Sequence, residues 1–258
     1  MKILVLGAGA FGTALGGILT ENGHEVVYFD PMLGVPLEEC LKGAELMVLV
    51  APSFALPELV PKLPREIPLV IATKGVLDLS LFDDFEDVMV LSGPAFADDL
   101  KAHKPARLTA SDKRIRELFG TDYLDFDESA DVRGILLCGA LKNVYALYAG
   151  LLQLERNTPE YEKKLAEFAE EMRALLSANG GKPETVSCEC GMGDLRLTCG
   201  MPSRNYEFGV ILANDSKAKP EKTVEGLSAL RKIIDGALEI PEEAVNLKEL
   251  MGRSKEWA

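Results

Sequence analysis

Short apolar runs alternate with mixed segments over the first 130 residues, and this pattern predicts a mostly parallel sheet with covering helices. The runs Lys2–Leu6 and Glu25–Phe29 predict two strands, and the segment 13–22 between them has helical periodicity. Three further runs are continuously apolar, as buried parallel strands are, and they cover residues 46–51, 69–72 and 88–91. We therefore expect an α/β domain over residues 1–127.

The pattern changes after residue 125, where strand-like runs become scarce. Apolar residues recur at helical spacing over 132–152, 161–179 and 224–238. The segment 154–171 is rich in Glu and Lys and predicts a solvated amphipathic helix, whereas 214–222 predicts an exposed loop. A mainly α-helical domain is expected over residues 128–258.

A glycine-rich turn joins the first predicted strand to the first predicted helix. Gly7 permits the tight turn, Gly9 lets the backbone approach a pyrophosphate, and Gly12 lets the helix pack closely. The helix N-terminus then faces the phosphates. The pattern predicts a Rossmann-like dinucleotide-binding domain, with cofactor contacts from Gly7, Gly9, Ala10, Phe11 and Gly12.

Asp30 follows the second predicted strand, at the position where an acid binds the adenosine ribose hydroxyls of a dinucleotide. Its carboxylate would repel a 2′-phosphate, so the sequence favours NAD over NADP. The alternative is that Asp30 simply caps a turn.

Polar loops follow the next three predicted strands. In an open parallel sheet, ligands bind beyond the carboxyl ends of the strands, so Pro52, Lys74 and the loop 92–97 are candidate site residues. Lys74 could equally be a solvated loop lysine.

Lys142 is the one amine in an apolar, helix-like segment at 135–152. A buried lysine is costly to desolvate and readily exchanges protons, so Lys142 is a candidate general acid and base. The alternative is a lysine whose stem covers apolar surface while its ammonium group reaches water.

Composition narrows the functional classes. The 258 residues are 47% apolar and carry a net charge of -13, which argues against a nucleic-acid partner. The apolar run 46–56 contains Pro52 and is too short to span a bilayer, and Met1-Lys2 leads directly into the first strand without a signal-peptide pattern. We expect a cytoplasmic protein without membrane insertion.

The five cysteines are an odd number without disulfide or C-x-x-C spacing, so reduced thiols are expected. Cys188, Cys190 and Cys199 could in principle hold a metal. Both histidines are remote from them in sequence, and we predict no metal site.

Three polar segments of the second predicted domain lie at 191–195, 197–199 and 203–205. They supply an acid, a hydroxyl and an adjacent guanidinium and amide, groups that could anchor a small polyanion beside an amine. Taken singly, each is a polar turn.

Seven motifs occur together in one order: GAGAFGTAL, ATKG, SGPAFA, GALKNV, GMGDLRLTC, SRNYEFG and VEG. Through them, and over nearly its full length, the chain resembles the NAD(P)-dependent glycerol-3-phosphate dehydrogenase family. The resemblance implies reversible hydride transfer between NAD(H) and C2 of glycerol 3-phosphate or dihydroxyacetone phosphate, a small phosphorylated three-carbon substrate, and a homodimer.

The resemblance also implies residue roles. Lys142 would be the proton donor and acceptor, Asp194 and Thr198 would support it and the substrate, and Lys74 would contact cofactor and substrate. The substrate phosphate would be bound by Ser203, Arg204 and Asn205. Further contacts would come, on the cofactor side, from Pro52, Ala97, Arg204 and Glu225 and, on the substrate side, from Gly93, Ala95 and Asn143.

Two departures from the family pattern keep alternatives open. The chain is shorter after the second strand and after the VEG motif, and Ala95 occupies a position where the family has a hydroxyl or amide residue. A non-catalytic nucleotide-binding sensor on the same fold is one alternative. A ketopantoate-reductase-like dehydrogenase is another, although it should lack Ser203-Arg204-Asn205.

Overall fold

The computed structural model describes residues 1–75 and 78–257, and the chain divides into two compact units. The first comprises residues 1–74 and 78–132, and the second lies mainly from Arg133 onward. The division follows Val132 rather than residue 127, because Ser129 N–H donates to Ala110 O and keeps the intervening segment with the first unit.

The described residues contain seven strands: β1 (Lys2–Leu6), β2 (Glu25–Phe29), β3 (Leu46–Leu49), β4 (Leu69–Ile71), β5 (Val88–Ser92), β6 (Ala106–Ala110) and β7 (Leu124–Glu128). They form one sheet in the order β2-β1-β3-β4-β5-β6-β7. Neighbouring strands are parallel except for β5 and β6, which confirms the predicted mostly parallel sheet.

Strands β6 and β7 were not predicted from the sequence. In β7 the buried Leu124 and Phe126 alternate with charged residues, so the strand has only two apolar positions on its inner face. Strand β5 pairs antiparallel with β6 through Leu91 and Ala110, and this pairing reverses the strand direction at that side of the sheet.

Five α-helices lie in the described part of the first unit. They are α1 (Ala10–Glu21), α2 (Leu37–Cys40), α3 (Leu56–Leu59), α4 (Ala97–Lys101) and α5 (Lys113–Phe119). Helix α1 buries Leu15, Ile18 and Leu19 in the same core cluster as the strands, and each such side chain stabilises the fold by roughly 1.5–3 kcal/mol. It ends at Glu21, with Asn22 as the C-cap, and the following Gly23 has a φ of +82°.

The second unit is helical, as predicted. After α6 (Val132–Leu151) it contains α7 (Pro159–Ala178), α8 (Asp194–Thr198), α9 (Arg204–Asn214), α10 (Glu225–Ile234) and α11 (Val245–Arg253). The segment after α9, from 215 to 222, is largely exposed, in agreement with the predicted loop.

Helix α7 differs from the predicted solvated helix. It begins at Pro159, after the N-cap Thr158, so residues 154–158 are not helical. Its Glu171 is buried and accepts hydrogen bonds from Tyr145 Oη, Asn246 Nδ2 and the N–H groups of Asn246 and Leu247. Because the surrounding sequence is rich in charged residues, it gave no indication that the Glu171 carboxylate belongs to the core.

Helix α6 is the single described helix whose length and composition would allow it to cross a membrane. However, 94% of its 18-residue apolar window is buried inside the protein. Such burial is typical of a core helix.

Candidate active site

The glycine-rich turn between β1 and α1 is held by tight backbone packing. Gly7 has a φ of +117°, and a Cβ there would lie 2.9 Å from Ala51 N. A Cβ on Gly12 would overlap the carbonyl oxygen of Gly7, so only glycine allows α1 to start so close to the turn. A Cβ on Gly9 would meet nothing within 4 Å, which leaves this backbone accessible to a ligand. Ala10 and Phe11 form the first turn of α1.

Asp30 connects this turn to the end of β2. Its Oδ2 accepts a hydrogen bond of 3.0 Å from Ala8 N, and its Oδ1 accepts one of 3.0 Å from Met32 N. The carboxylate therefore caps a turn, as the alternative interpretation held. It also lies against the glycine-rich loop, so both interpretations are compatible.

Lys74 lies in the loop that follows β4. Its Nζ is 5.1 Å from the ring centroid of Phe11, a cation–π contact within the first unit. The preceding Thr73 donates from Oγ1 to Leu49 O and Ala51 O, which ties this loop to the end of β3. Pro52 is exposed at the start of a 3-10 turn just after β3.

The loop after β5 contains the predicted residues Gly93, Ala95 and Ala97. Gly93 has a φ of +150°, and a Cβ there would lie 2.9 Å from Leu108 Cα. Ala95 belongs to the core cluster and its N–H donates to Gly93 O. Ala97 is half-buried at the start of α4.

Lys142 and Asp194 form a buried ion pair in the second unit. Lys142 Nζ donates to Asp194 Oδ1 at 2.7 Å, and the two side chains are 1% and 0% exposed. The alternative in which the ammonium group reaches water is therefore wrong. The pair joins the apolar helix α6 to the first residue of α8.

The two carboxylate oxygens of Asp194 differ in their hydrogen bonding. Oδ2 is buried and has no hydrogen-bond partner among the described residues. Thr198 Oγ1 donates instead to the backbone oxygen of Asp194 at 2.6 Å, within α8. Since buried polar atoms are nearly always paired, Oδ2 is the atom of this site that a ligand donor would satisfy.

Asn143, the neighbour of Lys142, begins a chain of hydrogen bonds across three helices. Asn143 Oδ1 accepts from Asn205 Nδ2 at 2.9 Å, and Asn205 Oδ1 accepts from Gly226 N at 2.8 Å. A Cβ on Gly226 would clash with the backbone of Asn143. Both asparagines were predicted site residues, whereas Gly226, although part of the VEG motif, was not; its signal is a glycine in the first turn of α10.

Ser203 and Arg204 mark the N-terminus of α9. Ser203 is buried and its side chain makes no capping hydrogen bond there. Arg204 is exposed and forms neither an ion pair nor a hydrogen bond with the described part of the chain. Glu225 is half-buried at the start of α10. N–H groups without a side-chain cap, a hydroxyl and a guanidinium group are groups of the kind that can bind an anion.

The cysteines are free thiols. Burial raises the pKa of the Cys199 thiol, which makes it a poor nucleophile at neutral pH. No group of three or more His, Cys, Asp or Glu side chains within residues 1–75 and 78–257 is placed to hold a metal ion.

The predicted residues therefore fall into two sets. The first unit holds the glycine-rich loop, Asp30, Lys74 and the loop after β5. The second brings together Lys142, Asp194 and Thr198, and links Asn143 to Asn205 at the start of α9.

Comparison with known proteins gives a consistent result over both units. A family model described as the N-terminus of NAD-dependent glycerol-3-phosphate dehydrogenase matches residues 2–31, and the model of its C-terminus matches residues 131–245. A glycerol-3-phosphate dehydrogenase [NAD(P)+] of Citrifermentans bemidjiense is 31% identical over 97% of this chain and 88% of its own length. That alignment is 304 residues long, so the relative contains segments that this 258-residue chain lacks.

Solved structures are similar as well. A glycerol-3-phosphate dehydrogenase from Coxiella burnetii superposes with a TM-score of 0.80 at 25% identity, covering 97% of each chain. One from Plasmodium falciparum has a TM-score of 0.81 at 17% identity, covering 99% of this chain and 92% of its own, and supports the fold alone.

Proposed function

The chain belongs to the NAD(P)-dependent glycerol-3-phosphate dehydrogenase family, and we propose that it transfers a hydride between NAD(H) and C2 of dihydroxyacetone phosphate or glycerol 3-phosphate. Lys142 is the general acid in the direction of reduction and the general base in the direction of oxidation. One observation carries this assignment: the buried Lys142–Asp194 pair with one carboxylate oxygen left unpaired.

The chemistry requires a proton at the oxygen that hydride transfer makes negative. The nicotinamide supplies the hydride, and an ammonium group beside the C2 oxygen stabilises the developing charge and donates the proton. Asp194 Oδ1 fixes the position of Nζ, and Oδ2 can accept a hydrogen bond from a substrate hydroxyl. Burial keeps water away from the pair and strengthens these interactions.

The N-terminus of α9 is the proposed phosphate site. Ser203, Arg204 and the first N–H groups of the helix are the positive and hydrogen-bonding elements, and Asn205 links them to Asn143 next to the catalytic lysine. Arg204 suits this role because its guanidinium group has no partner in the described residues and can bind phosphate with two hydrogen bonds. Such a local site is needed in a chain of net charge -13.

The first unit fits a dinucleotide. The turn leaves space at Gly9, and the packing at Gly7 and Gly12 brings the N-terminus of α1 close to β1. Asp30 is oriented by Ala8 N and Met32 N, and its negative charge favours a ribose hydroxyl over a 2′-phosphate. We therefore propose NAD as the preferred cofactor. Lys74 would contact cofactor and substrate, and the active form would be a homodimer.

The decisive experiment follows NADH consumption with dihydroxyacetone phosphate, using wild type, Lys142→Met and Lys142→Arg. Lys142→Arg keeps a cation beside Asp194, but a guanidinium group does not release its proton, so both variants should lose about 1,000-fold or more in kcat. NADH binding, followed by fluorescence, should be unchanged. Wild type that binds NADH without turnover would contradict the dehydrogenase assignment and support the sensor alternative.

A further inference from the structure

The helix that carries Asp194 is bound by other side chains at both of its ends. Helix α8 (Asp194–Thr198) continues directly from a π-helical turn at Glu189–Gly193, and the helical segment ends at Thr198. Its last carbonyl groups lack partners within the helix. Groups that bind these carbonyls at the C-terminal end of α8 can therefore influence the position of the carboxylate beside Lys142.

Three side chains from the segment 156–162 make those contacts. Arg156 Nη2 donates to Leu197 O at 2.5 Å and to Arg196 O at 3.3 Å. Tyr161 Oη donates to Arg196 O at 3.1 Å. Glu162 forms a two-pronged ion pair with Arg196, with distances of 2.7 and 2.8 Å. We call these three residues, Arg156, Tyr161 and Glu162, the α8 clamp.

The clamp suits the end of the helix electrostatically and sterically. A guanidinium group at the C-terminal carbonyls compensates the negative end of the helix dipole. The residue after Cys199 is Gly200, and a Cβ there would clash with the guanidinium group of Arg156. The absence of a side chain at Gly200 thus leaves space for Arg156 in the position from which it donates to both carbonyls.

We propose that Arg156 is a positioning residue for the proton-transfer pair, acting through α8 to hold Asp194 against Lys142. This inference rests on the proposed dehydrogenase function. Lys142 fixes the first residue of α8, Thr198 Oγ1 closes the helix onto the backbone of Asp194, and the clamp fixes the carbonyls of Arg196 and Leu197. Arg156 touches neither Lys142 nor Asp194 through any of these bonds.

The test compares Arg156→Ala, Arg156→Lys and Tyr161→Phe with wild type. Because small misplacements of catalytic groups are costly, Arg156→Ala should lower kcat about 10- to 100-fold. The KM for dihydroxyacetone phosphate should change less than about three-fold, since the phosphate site on α9 is untouched. Arg156→Lys retains a cationic donor and should recover kcat to within about five-fold of wild type. Tyr161→Phe removes one hydrogen bond and should lower kcat about two- to five-fold.

Arg253→Ala is the matched control. Arg253 is a similarly exposed arginine of the same unit, and it pairs with Glu249 on α11. Its removal should leave kcat within about two-fold of wild type. Hydrogen exchange supplies a readout that does not depend on activity: residues 194–199 should exchange about ten-fold faster in Arg156→Ala and at the wild-type rate in Arg253→Ala.

The outcomes separate the two proposals. An unchanged kcat in folded Arg156→Ala, or a raised KM with unchanged kcat, would overturn the positioning role while the dehydrogenase function stands. If Arg156→Ala does not fold, an unchanged kcat in Tyr161→Phe would overturn the positioning role. Should wild type be inactive, the dehydrogenase assignment fails, and unchanged exchange over residues 194–199 would show separately that the clamp does not hold α8.

Discussion

Tyr145 donates a hydrogen bond from its buried hydroxyl to Glu171 Oε2 at 2.9 Å, joining helix α6 to helix α7. The same carboxylate accepts from Asn246 and Leu247 at the N-terminus of α11. One buried glutamate therefore holds together three helices, among them the helix that carries Lys142.

Glu171→Ala should destabilise the protein by about 3 kcal/mol or more, because it leaves the Tyr145 hydroxyl and the start of α11 without acceptors. Chemical denaturation measures the change. Glu170→Ala is the control, since its side chain is 74% exposed and should change stability by less than about 0.5 kcal/mol. Equal effects of the two substitutions would contradict the role of Glu171.

Tyr145 also predicts a dependence on pH. Burial, together with the neighbouring Glu171 carboxylate, raises the pKa of Tyr145 well above its ordinary value of 10.0. The unfolded chain therefore ionises this tyrosine first, so its contribution to stability is complete below pH 10 and is lost as the pH rises above it. Between pH 9 and about pH 11, Tyr145→Phe should show a shallower loss of unfolding free energy than wild type. If the free energy of unfolding of Tyr145→Phe and of wild type fell equally steeply with pH, the prediction would be contradicted.

Substitution of two glycines of helix α1 by alanine should have different effects on NADH binding. Gly12→Ala places a methyl group on the Gly7 carbonyl, so the turn must open, and NADH affinity should fall at least ten-fold. Gly17→Ala, on the same helix, meets no atom within 4 Å and should raise stability by up to about 1 kcal/mol without affecting NADH binding. Fluorescence titration and thermal unfolding measure both quantities.

Cofactor choice depends on the charge of Asp30. Wild type should prefer NADH to NADPH by about ten-fold or more in kcat/KM, and Asp30→Asn should narrow this preference several-fold. The amide side chain of this variant removes the charge and retains an acceptor oxygen for one of the two backbone N–H groups that Asp30 binds. Equal use of both cofactors by wild type would refute the preference.

Arg204→Ala should raise the KM for dihydroxyacetone phosphate by about 10- to 100-fold, because a guanidinium–phosphate contact is lost. The kcat should fall less than the KM rises. Steady-state kinetics with Arg253→Ala as control measures the difference, and an unchanged KM would remove Arg204 from the phosphate site.

Most strands and helices could be predicted from the sequence of each segment, whereas contacts between distant segments could not. The first five strands and helix α1 follow from apolar periodicity and glycine placement, which are local signals. Strand β7 escaped prediction because its two buried residues, Leu124 and Phe126, are interspersed with charges. Glu171 was assigned to solvent because its neighbours in sequence are solvated, although its partners lie 26 to 76 residues away.

The candidate site shows the same limit. The sequence placed Lys142 in an apolar segment, but the 2.7 Å contact with Asp194 depends on how α8 packs against α6. Arg156 left no signal at all, because its acceptors are backbone carbonyls that any residue supplies. Side-chain patterns reveal which groups a fold must bury or expose, and they carry little information about bonds to a remote main chain.

The separation of Lys142 from Asp194 by 52 residues has a consequence for synthesis of the chain. The amine emerges from the ribosome before the carboxylate that it binds, and burying one member of an ion pair without the other costs several kcal/mol. Helix α6 can form early, but its native burial has to wait until α8 has been made. The pair proposed to move the proton therefore also sets the order in which the second unit can mature.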